Sequence, residues 1–486
     1  MTRTTLLIGP PGTGKTTSLL NEVDTLLKNK GSAKRIAYLS FTKKAAQEAV
    51  TRASEQFDLS KDDFPYFRTL HSLAFQQLGL SHTQVMGTEH YTAFGNALGT
   101  PFLHDYDQDI ERCPLGGALG DRCLQVYALA RARQISLEEQ WWQSDAVDLP
   151  FGVVKKFAVN LEAYKKAYDI LDFTDFLDDC QAELDVDLFI IDEAQDLTRQ
   201  QWAFARRLGA RAPKVLIAGD DDQAIFQWAG ADLRSLLALQ GIKRVLPLSY
   251  RLPRKVFEFA CKLSARIRQR FIKAWRPRDA EGAVDWVSDP DKVRLLDDQT
   301  WMLLTRHRYQ GDLFEAVARD QGVVYMRDGV WSNQTPAARA VLTYEALRRG
   351  KTLPAKDVKA MSRYISNLVV TGQDQVTYEN VAWPFGDRRD WLTALDLVGG
   401  DERQYIRALR RNGESLTSPG RITISTIHGV KGGQADNVVL LPDITPRVQE
   451  ADVSSEARVW YVGASRARHN LFLVQPQTAL YYDLVS

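Results

Sequence analysis

Cysteine is scarce in this chain: four in 486 residues, Cys113, Cys123, Cys180 and Cys261, with no C-x-x-C spacing among them. That argues against a metal or iron–sulfur centre and for reduced, mostly buried thiols. No apolar run reaches membrane-spanning length. The first fifteen residues are taken up by a glycine-rich motif, which leaves no room for a secretory leader, so the expectation is a cytoplasmic protein. Internal repeats and low-complexity stretches are missing too. Net charge is almost nil, 62 Lys and Arg against 61 Asp and Glu, which would exclude a polyanionic partner if the charge were evenly spread. It is not. Residues Asp169 to Asp196 hold eleven acidic side chains and no basic one, and Arg251 to Arg278 hold ten basic side chains against one Glu. The basic block reads equally as a solvated helical face or as a track for a phosphate backbone. Length predicts two to four domains.

What is present begins at the N-terminus. Leu6 to Ile8 read as a buried strand, Gly9, Gly12 and Gly14 as a turn, and Ser18 to Leu27 as an amphipathic helix. Gly9-Pro10-Pro11-Gly12-Thr13-Gly14-Lys15-Thr16, followed by Thr17, fits the phosphate-binding loop G-x-x-x-x-G-K-[ST]. Glycines let backbone N–H groups turn toward phosphates, and the positive end of the helix faces them. Lys15 is placed to reach the β- and γ-phosphates, and the Thr16 hydroxyl to ligate Mg²⁺. This predicts nucleotide binding.

The chain then alternates. Arg35 to Phe41 read as a strand, with Thr42 as N-cap of the next helix. Residues 76–167 are helical and aromatic, with a break near Gly116-Gly117, and read as an insertion. Val186 to Ile191 read as a buried strand ending in Asp192-Glu193-Ala194-Gln195-Asp196. Carboxylates at the end of such a strand suit a nucleotide-bound Mg²⁺, with Asp192 acting through the metal and Glu193 orienting or deprotonating the attacking water. The strand Lys214 to Ala218 leads into Gly219-Asp220-Asp221-Asp222-Gln223-Ala224-Ile225-Phe226-Gln227-Trp228. Gln223 is expected at the γ-phosphate, and Phe226 and Trp228 read as base-stacking candidates or as ordinary packing. Leu246 to Arg251 read as a further strand. A second α/β half starts near Arg251, with a strand at Trp301 to Arg306. A second insertion at 331–420 contains the polar turn Thr371-Gly372-Gln373-Asp374. The α/β pattern resumes with Ile422 to Gly432, the strand Asn437 to Leu441, the helix Glu456 to Arg468 and the strand Leu471 to Val474.

With these stretches in order, the chain resembles the superfamily 1 DNA helicases of the UvrD/Rep/PcrA type, in the 1A branch. Eight segments carry the resemblance over nearly the whole length: the phosphate loop, SFTKKAA, TLHS, DEAQD, GDDDQAIFQW, SYR, STIHGVKG and YVGASRAR. It implies two RecA-like motor domains (1–75 with 168–250, and 251–330 with 421–486), each carrying a mainly helical insertion (76–167 and 331–420). It implies ATP and Mg²⁺ as cofactors and single-stranded DNA and its junctions with duplex as partner. The minimal motor would be a monomer, moving 3′ to 5′ as it separates strands. It assigns adenine stacking to Tyr250, arginine fingers from the second motor domain to Arg251 and Arg466, and DNA contacts to Phe41, Thr69, His71, Phe226, Trp228, Arg306 and Thr426. His428 would couple DNA to ATP, and Gln434 stands where the family has a ribose-binding Glu.

Three departures bear on expectation. Only Met1 to Thr5 precede the first strand, so the family's adenine-reading glutamine segment has no counterpart and base selectivity is expected to be relaxed. Gln434 implies a weaker ribose contact. The second insertion is about half the family's usual length, implying a minimal motor with little autoinhibition. A small-molecule P-loop kinase leaves DEAQD, the second half and Arg466 unexplained. A translocase that strips proteins without unwinding uses the same motor, and an RNA substrate is distinguished only by contacts to the 2′-hydroxyl.

Overall fold

The computed structural model describes residues 3–103, 117–144, 148–368, 370, 374–386 and 388–485. Cys113, the Gly116 side of the expected break and residues 371–373 of the expected polar turn lie outside them.

Six strands build the first sheet: β1 (Arg3–Ile8), β2 (Ile36–Ser40), β3 (Tyr66–Thr69), β4 (Leu188–Asp192), β5 (Lys214–Gly219) and β6 (Ile242–Val245). They lie in the order β3-β2-β4-β5-β1-β6, all parallel. A parallel sheet is covered on both faces, which is why its strands read as unbroken apolar runs. Alternate residues go to opposite cores. Tyr38 and Ile190 pack with Leu19, Leu20 and Ala49 of the helices Lys15–Lys28 and Lys43–Phe57. Leu39 and Ile191 pack on the other face with Leu70, Phe176 and Trp202. Thr42 caps its helix as expected, accepting from Ala45 N.

The strand expected at 246–251 is displaced. The ladder ends at Val245, with Leu246 N donating to Ile8 O at 2.9 Å, because its only partner, β1, ends at Ile8 and turns into the glycine-rich loop. Residues Ser249 to Arg251 instead run over the phosphate loop, where Tyr250 N donates to Gly12 O at 2.8 Å and Ser249 Oγ to Pro11 O at 2.8 Å.

Between β3 and β4 the described residues form helices and no strand. They bury a core of their own, including Met86, Tyr91, Phe94, Leu124, Phe157 and Leu161. The acidic run supplies counter-ions here. Asp172 and Asp175 hold the buried Lys165, each at 2.8 Å, and Asp185 and Asp187 hold Arg35 at 2.7 and 2.8 Å.

The second sheet comprises β7 (Ala283–Val287), β8 (Trp301–Thr305), β9 (Tyr325–Arg327), β10 (Val330–Trp331), β13 (Ile422–Thr426), β14 (Ala435–Leu440) and β15 (Ala467–Val474), with β11 (Leu353–Pro354) and β12 (Gln375–Val376) paired apart from it. Its order is β10-β9-β13-β8-β14-β15-β7, parallel except for the β9–β10 hairpin. The helices Pro336–Arg348 and Gly400–Arg411 share one core with it, Val341, Tyr344, Tyr405 and Leu409 packing with Tyr325 and Ile422. The helix expected at 456–468 runs from Val453 to Ala464, and β15 starts at Ala467, so Arg466 sits in the turn between them.

The chain forms two units: Met1–Arg251 with Ser264–Arg278, and Leu252–Leu263 with Asp279–Ser486. A single passage at residue 251 was expected. The chain passes three times, because the segment 264–278 returns to the first unit. The basic block is therefore neither a single helical face nor a continuous phosphate track: Lys273 and Arg270 are committed to ion pairs with buried carboxylates.

Candidate nucleotide site and nucleic-acid surface

The loop after β1 closes on itself, with Thr13 N and Oγ1 both donating to Pro10 O, at 3.2 and 2.7 Å. Lys15 folds back over it, its ammonium 3.1 Å from Gly9 O and 3.5 Å from Glu193 Oε1. A Cβ on Gly9 would stand 2.0 Å from Lys15 Cγ, so only glycine lets the lysine lie there. Gly12 is left-handed at φ 71°, and a Cβ on it would meet Arg251 Cβ at 2.3 Å. Any side chain there would push away the strap carrying Tyr250 and Arg251. Tyr250 is 71 % exposed, with its ring beside Gly14. A flat, accessible ring next to a phosphate loop suits stacking on a base.

β4 delivers Asp192, buried in register with Ser40 of β2. Glu193 follows at φ 54°, a strained conformation for a residue with a side chain, which turns its carboxylate toward Lys15. Burial, then repulsion from Glu193, pushes the Asp192 carboxyl up to about 6, against the pull of Lys15 and of a hydrogen bond from Tyr38. Tyr38 was read only as a strand residue. Its hydroxyl donates to Asp192 Oδ2 at 2.5 Å and is also hydrogen-bonded to Thr16. The signal in the sequence is a large hydroxyl-bearing side chain, Tyr38, at the centre of a buried strand whose other hydroxyl, Ser40, stands at its end. A hydroxyl and a carboxylate joined through a third oxygen are a hard-oxygen donor set that fits Mg²⁺.

From Glu193 the polar contacts continue. Gln195 Nε2 donates to Glu193 Oε2 at 2.5 Å, and Gln195 Oε1 accepts from Asp220 N at 3.0 Å. Asp220 Oδ2 accepts from Gln223 Nε2 at 2.7 Å. The same loop goes on to Phe226, whose ring stacks on Phe41 with centroids 5.9 Å apart. Trp228 and His71 line one cleft with Leu129, Phe173 and Gln200. Phe41, His71, Phe226 and Trp228 are thus brought together in pairs. Thr69 is not part of that surface: it is buried, and its hydroxyl caps the helix Leu70–Gln77 by accepting from Ser72 N.

Arg251 lies in the first unit beside Gly12, and not in the second as the resemblance implied. In the second unit Arg466 is 1 % exposed, donating to Val462 O and Gly433 O at 2.9 and 3.2 Å, with Gln434 exposed next to it. Arg306, following β8, is held by Glu456 at 2.9 Å. Thr426 Oγ1 accepts from Gly429 N, shaping the turn that carries His428.

Two family models match the chain. Residues 1–242 match the UvrD/REP helicase N-terminal domain and residues 406–478 the UvrD-like helicase C-terminal domain. The chain belongs to the UvrD/Rep helicase family. A probable DNA helicase II homolog of Rickettsia felis is 23% identical to this UvrD-like chain, over 99% of it and 91% of the relative. UvrD2 of Mycobacterium tuberculosis is 24% identical over 95% of this chain and 75% of its own length. The Rep helicase of Escherichia coli is 24% identical over 48% of this chain and 36% of itself. Among solved structures, an arterivirus nonstructural protein 10 helicase aligns with TM-score 0.35 at 10% identity, over 98% of this chain and 60% of that one. The family places the two α/β units as RecA-like motor domains. Among the described residues no helix is long and apolar enough to cross a membrane.

Proposed function

We propose that this UvrD/Rep-family helicase binds ATP on the loop Gly9–Thr16 and spends its hydrolysis on moving along single-stranded DNA, 3′ to 5′, separating duplex as it goes. One observation carries the coupling. The loop 220–228 is tied at one end to Glu193 through Gln195 and bears at the other the Phe226 ring stacked on Phe41. A shift of Gln223 at the phosphate therefore moves a base-stacking surface a few residues away.

In this reading Lys15 leaves Gly9 O and Glu193 for the phosphates and neutralises them. Glu193, relieved of that pair, orients the attacking water and takes its proton. Thr16 and Asp192 would hold Mg²⁺, which supplies charge neutralisation at the phosphate oxygens. Tyr250 stacks on the base, and Gln223 reads the γ-phosphate. Arg251 and Arg466 are further candidates for the hydrolytic step, and Gln434 for a contact to the ribose. Phe41, His71, Phe226 and Trp228 grip DNA bases; in the second unit Arg306 and Thr426 are further DNA contacts, and His428 couples DNA to ATP. The test is ATP hydrolysis with and without single-stranded DNA, beside single-stranded RNA, followed by unwinding of 3′- and 5′-tailed duplexes. DNA-stimulated hydrolysis and unwinding from 3′ tails are expected. Hydrolysis indifferent to any nucleic acid, or unwinding only from 5′ tails, overturns it.

A further inference from the structure

Gln223 does not position itself. Its amide donates to Asp220 Oδ2 at 2.7 Å, so the aim of the amide follows the setting of that carboxylate. The other oxygen, Asp220 Oδ1, lies 2.9 Å from Lys273 Nζ. Lys273 comes from the returning segment 264–278, fifty residues downstream, and its side chain is wholly buried. The ammonium also meets Asp221 Oδ1 at 2.6 Å and Asp222 Oδ2 at 2.7 Å. The same segment gives Phe271 N to Asp221 Oδ2 at 2.7 Å and Arg270 Nη2 to Asp222 Oδ2 at 2.5 Å.

A buried ion cluster is a poor way to gain stability, since well-packed apolar side chains of like volume do as well or better. What it does well is fix the direction of charged groups. Here the fixed group lies one hydrogen bond behind Gln223 and feels the field of Lys15. Without the ammonium, Asp220 would compete with phosphate for Lys15 and let Gln223 swing. We propose that Lys273 is a positioning residue for ATP hydrolysis, holding Asp220 so that Gln223 is aimed at the γ-phosphate. This rests on the reading of Gln223 given above.

The experiment compares Lys273→Met, Asp220→Asn, Gln223→Ala and the double variant Lys273→Met/Gln223→Ala. For each, DNA-stimulated kcat and KM for ATP are measured, with the affinities for ADP and for a non-hydrolysable ATP analogue. Lys273→Met is expected to lower kcat about tenfold or more and to erode the preference for the triphosphate analogue, with ADP affinity retained. The double variant is expected to be no worse than Gln223→Ala, as for residues acting in series. Multiplying losses, or a kcat and triphosphate preference left intact, overturn the proposal. If Lys273→Met yields no folded protein, Asp220→Asn decides: the same selective loss supports the proposal, and unchanged discrimination overturns it. A Gln223→Ala variant with normal turnover would instead refute the assignment of Gln223, which the single variant reveals by itself.

Discussion

Tyr38 donates its hydroxyl to Asp192 Oδ2 at 2.5 Å, reaching from β2 to the end of β4 with both side chains buried. A buried acceptor that loses its donor bears a cost of about 1.5–3 kcal/mol when it is charged. Tyr38→Phe should raise the Asp192 carboxyl further, because the donated bond favours the ionised form. At neutral pH more of the enzyme then carries a protonated Asp192. ATP turnover should fall roughly tenfold, and its acid limb should move to higher pH. A kcat/KM profile between about pH 5.5 and 8, which reports ionisations of the free enzyme, checks this; a superimposable profile makes Tyr38 a packing residue.

Lys15 and Glu193 pair with each other at 3.5 Å. Each partner should be separately indispensable once phosphate displaces the pair. Lys15→Ala and Glu193→Gln should each lower kcat by about 100-fold or more. Glu193→Gln should still bind nucleotide, whereas Lys15→Ala should bind it weakly. Fluorescent-nucleotide titration beside steady-state hydrolysis separates the two.

The Phe41–Phe226 stack offers π-faces and no charge. Phe226→Ala should weaken single-stranded DNA binding by about 1–3 kcal/mol, the cost of a lost stacking contact. The slope of affinity against salt should be unaltered, because it counts phosphate contacts. Anisotropy titrations at several salt concentrations test both halves; a changed slope would mean that the ring organises cations.

The cluster at Asp220 to Asp222 sets three carboxylates against two cations, Lys273 and Arg270. Burial first, then its two acidic neighbours, push Asp222 up to about 6, against the pull of Lys273 and Arg270. The folded chain thus binds a proton between the ordinary carboxylate value and about 6 that the unfolded chain lacks. Stability from this group is present at low pH and lost as pH rises through that window, by on the order of 3 kcal/mol. Asp222→Asn should flatten this part of the profile. Denaturation midpoints at about pH 5 and 7 for both proteins measure it, and equal slopes would disprove the linkage.

Lys165 is buried against Asp172, Asp175 and the Tyr127 hydroxyl. Lys165→Met would strand two carboxylates that Arg131 alone cannot neutralise. A loss of about 3–5 kcal/mol in the helical region between β3 and β4 is expected. Hydrogen exchange in the helix Phe151–Tyr168 should report it before the first sheet opens. Uniform loss across the unit would show the two to be one cooperative body.

The parts legible in the sequence are those whose chemistry is local. The phosphate loop announces itself because Gly9, Gly12, Lys15 and Thr16 are neighbours whose spacing is the mechanism. Asp192 and Glu193 could be placed because a strand end is visible as the close of an apolar run. Tyr38 and Lys273 were missed because their partners lie 154 and about fifty residues away, and no periodicity encodes such pairing. Thr69 illustrates the opposite case. It belongs to a segment with a functional reading, yet its hydroxyl serves the backbone of the next helix. The strand expected at 246–251 failed because its partner β1 ends at Ile8, and where a neighbouring strand stops is not written in the segment itself.

The threefold passage of the chain between its units has a bearing on how the protein can be divided. A fragment ending at Arg251 would look complete from its strands, since all six of the first sheet are in it. It would nevertheless expose Asp220, Asp221 and Asp222 without Lys273 and Arg270, leaving three carboxylates packed together with no counter-charge from that segment. The first motor is therefore heritable only as a discontinuous piece: a gene fusion or split that respects it must carry residues 264–278 along, joined across the excised 252–263 by a short linker.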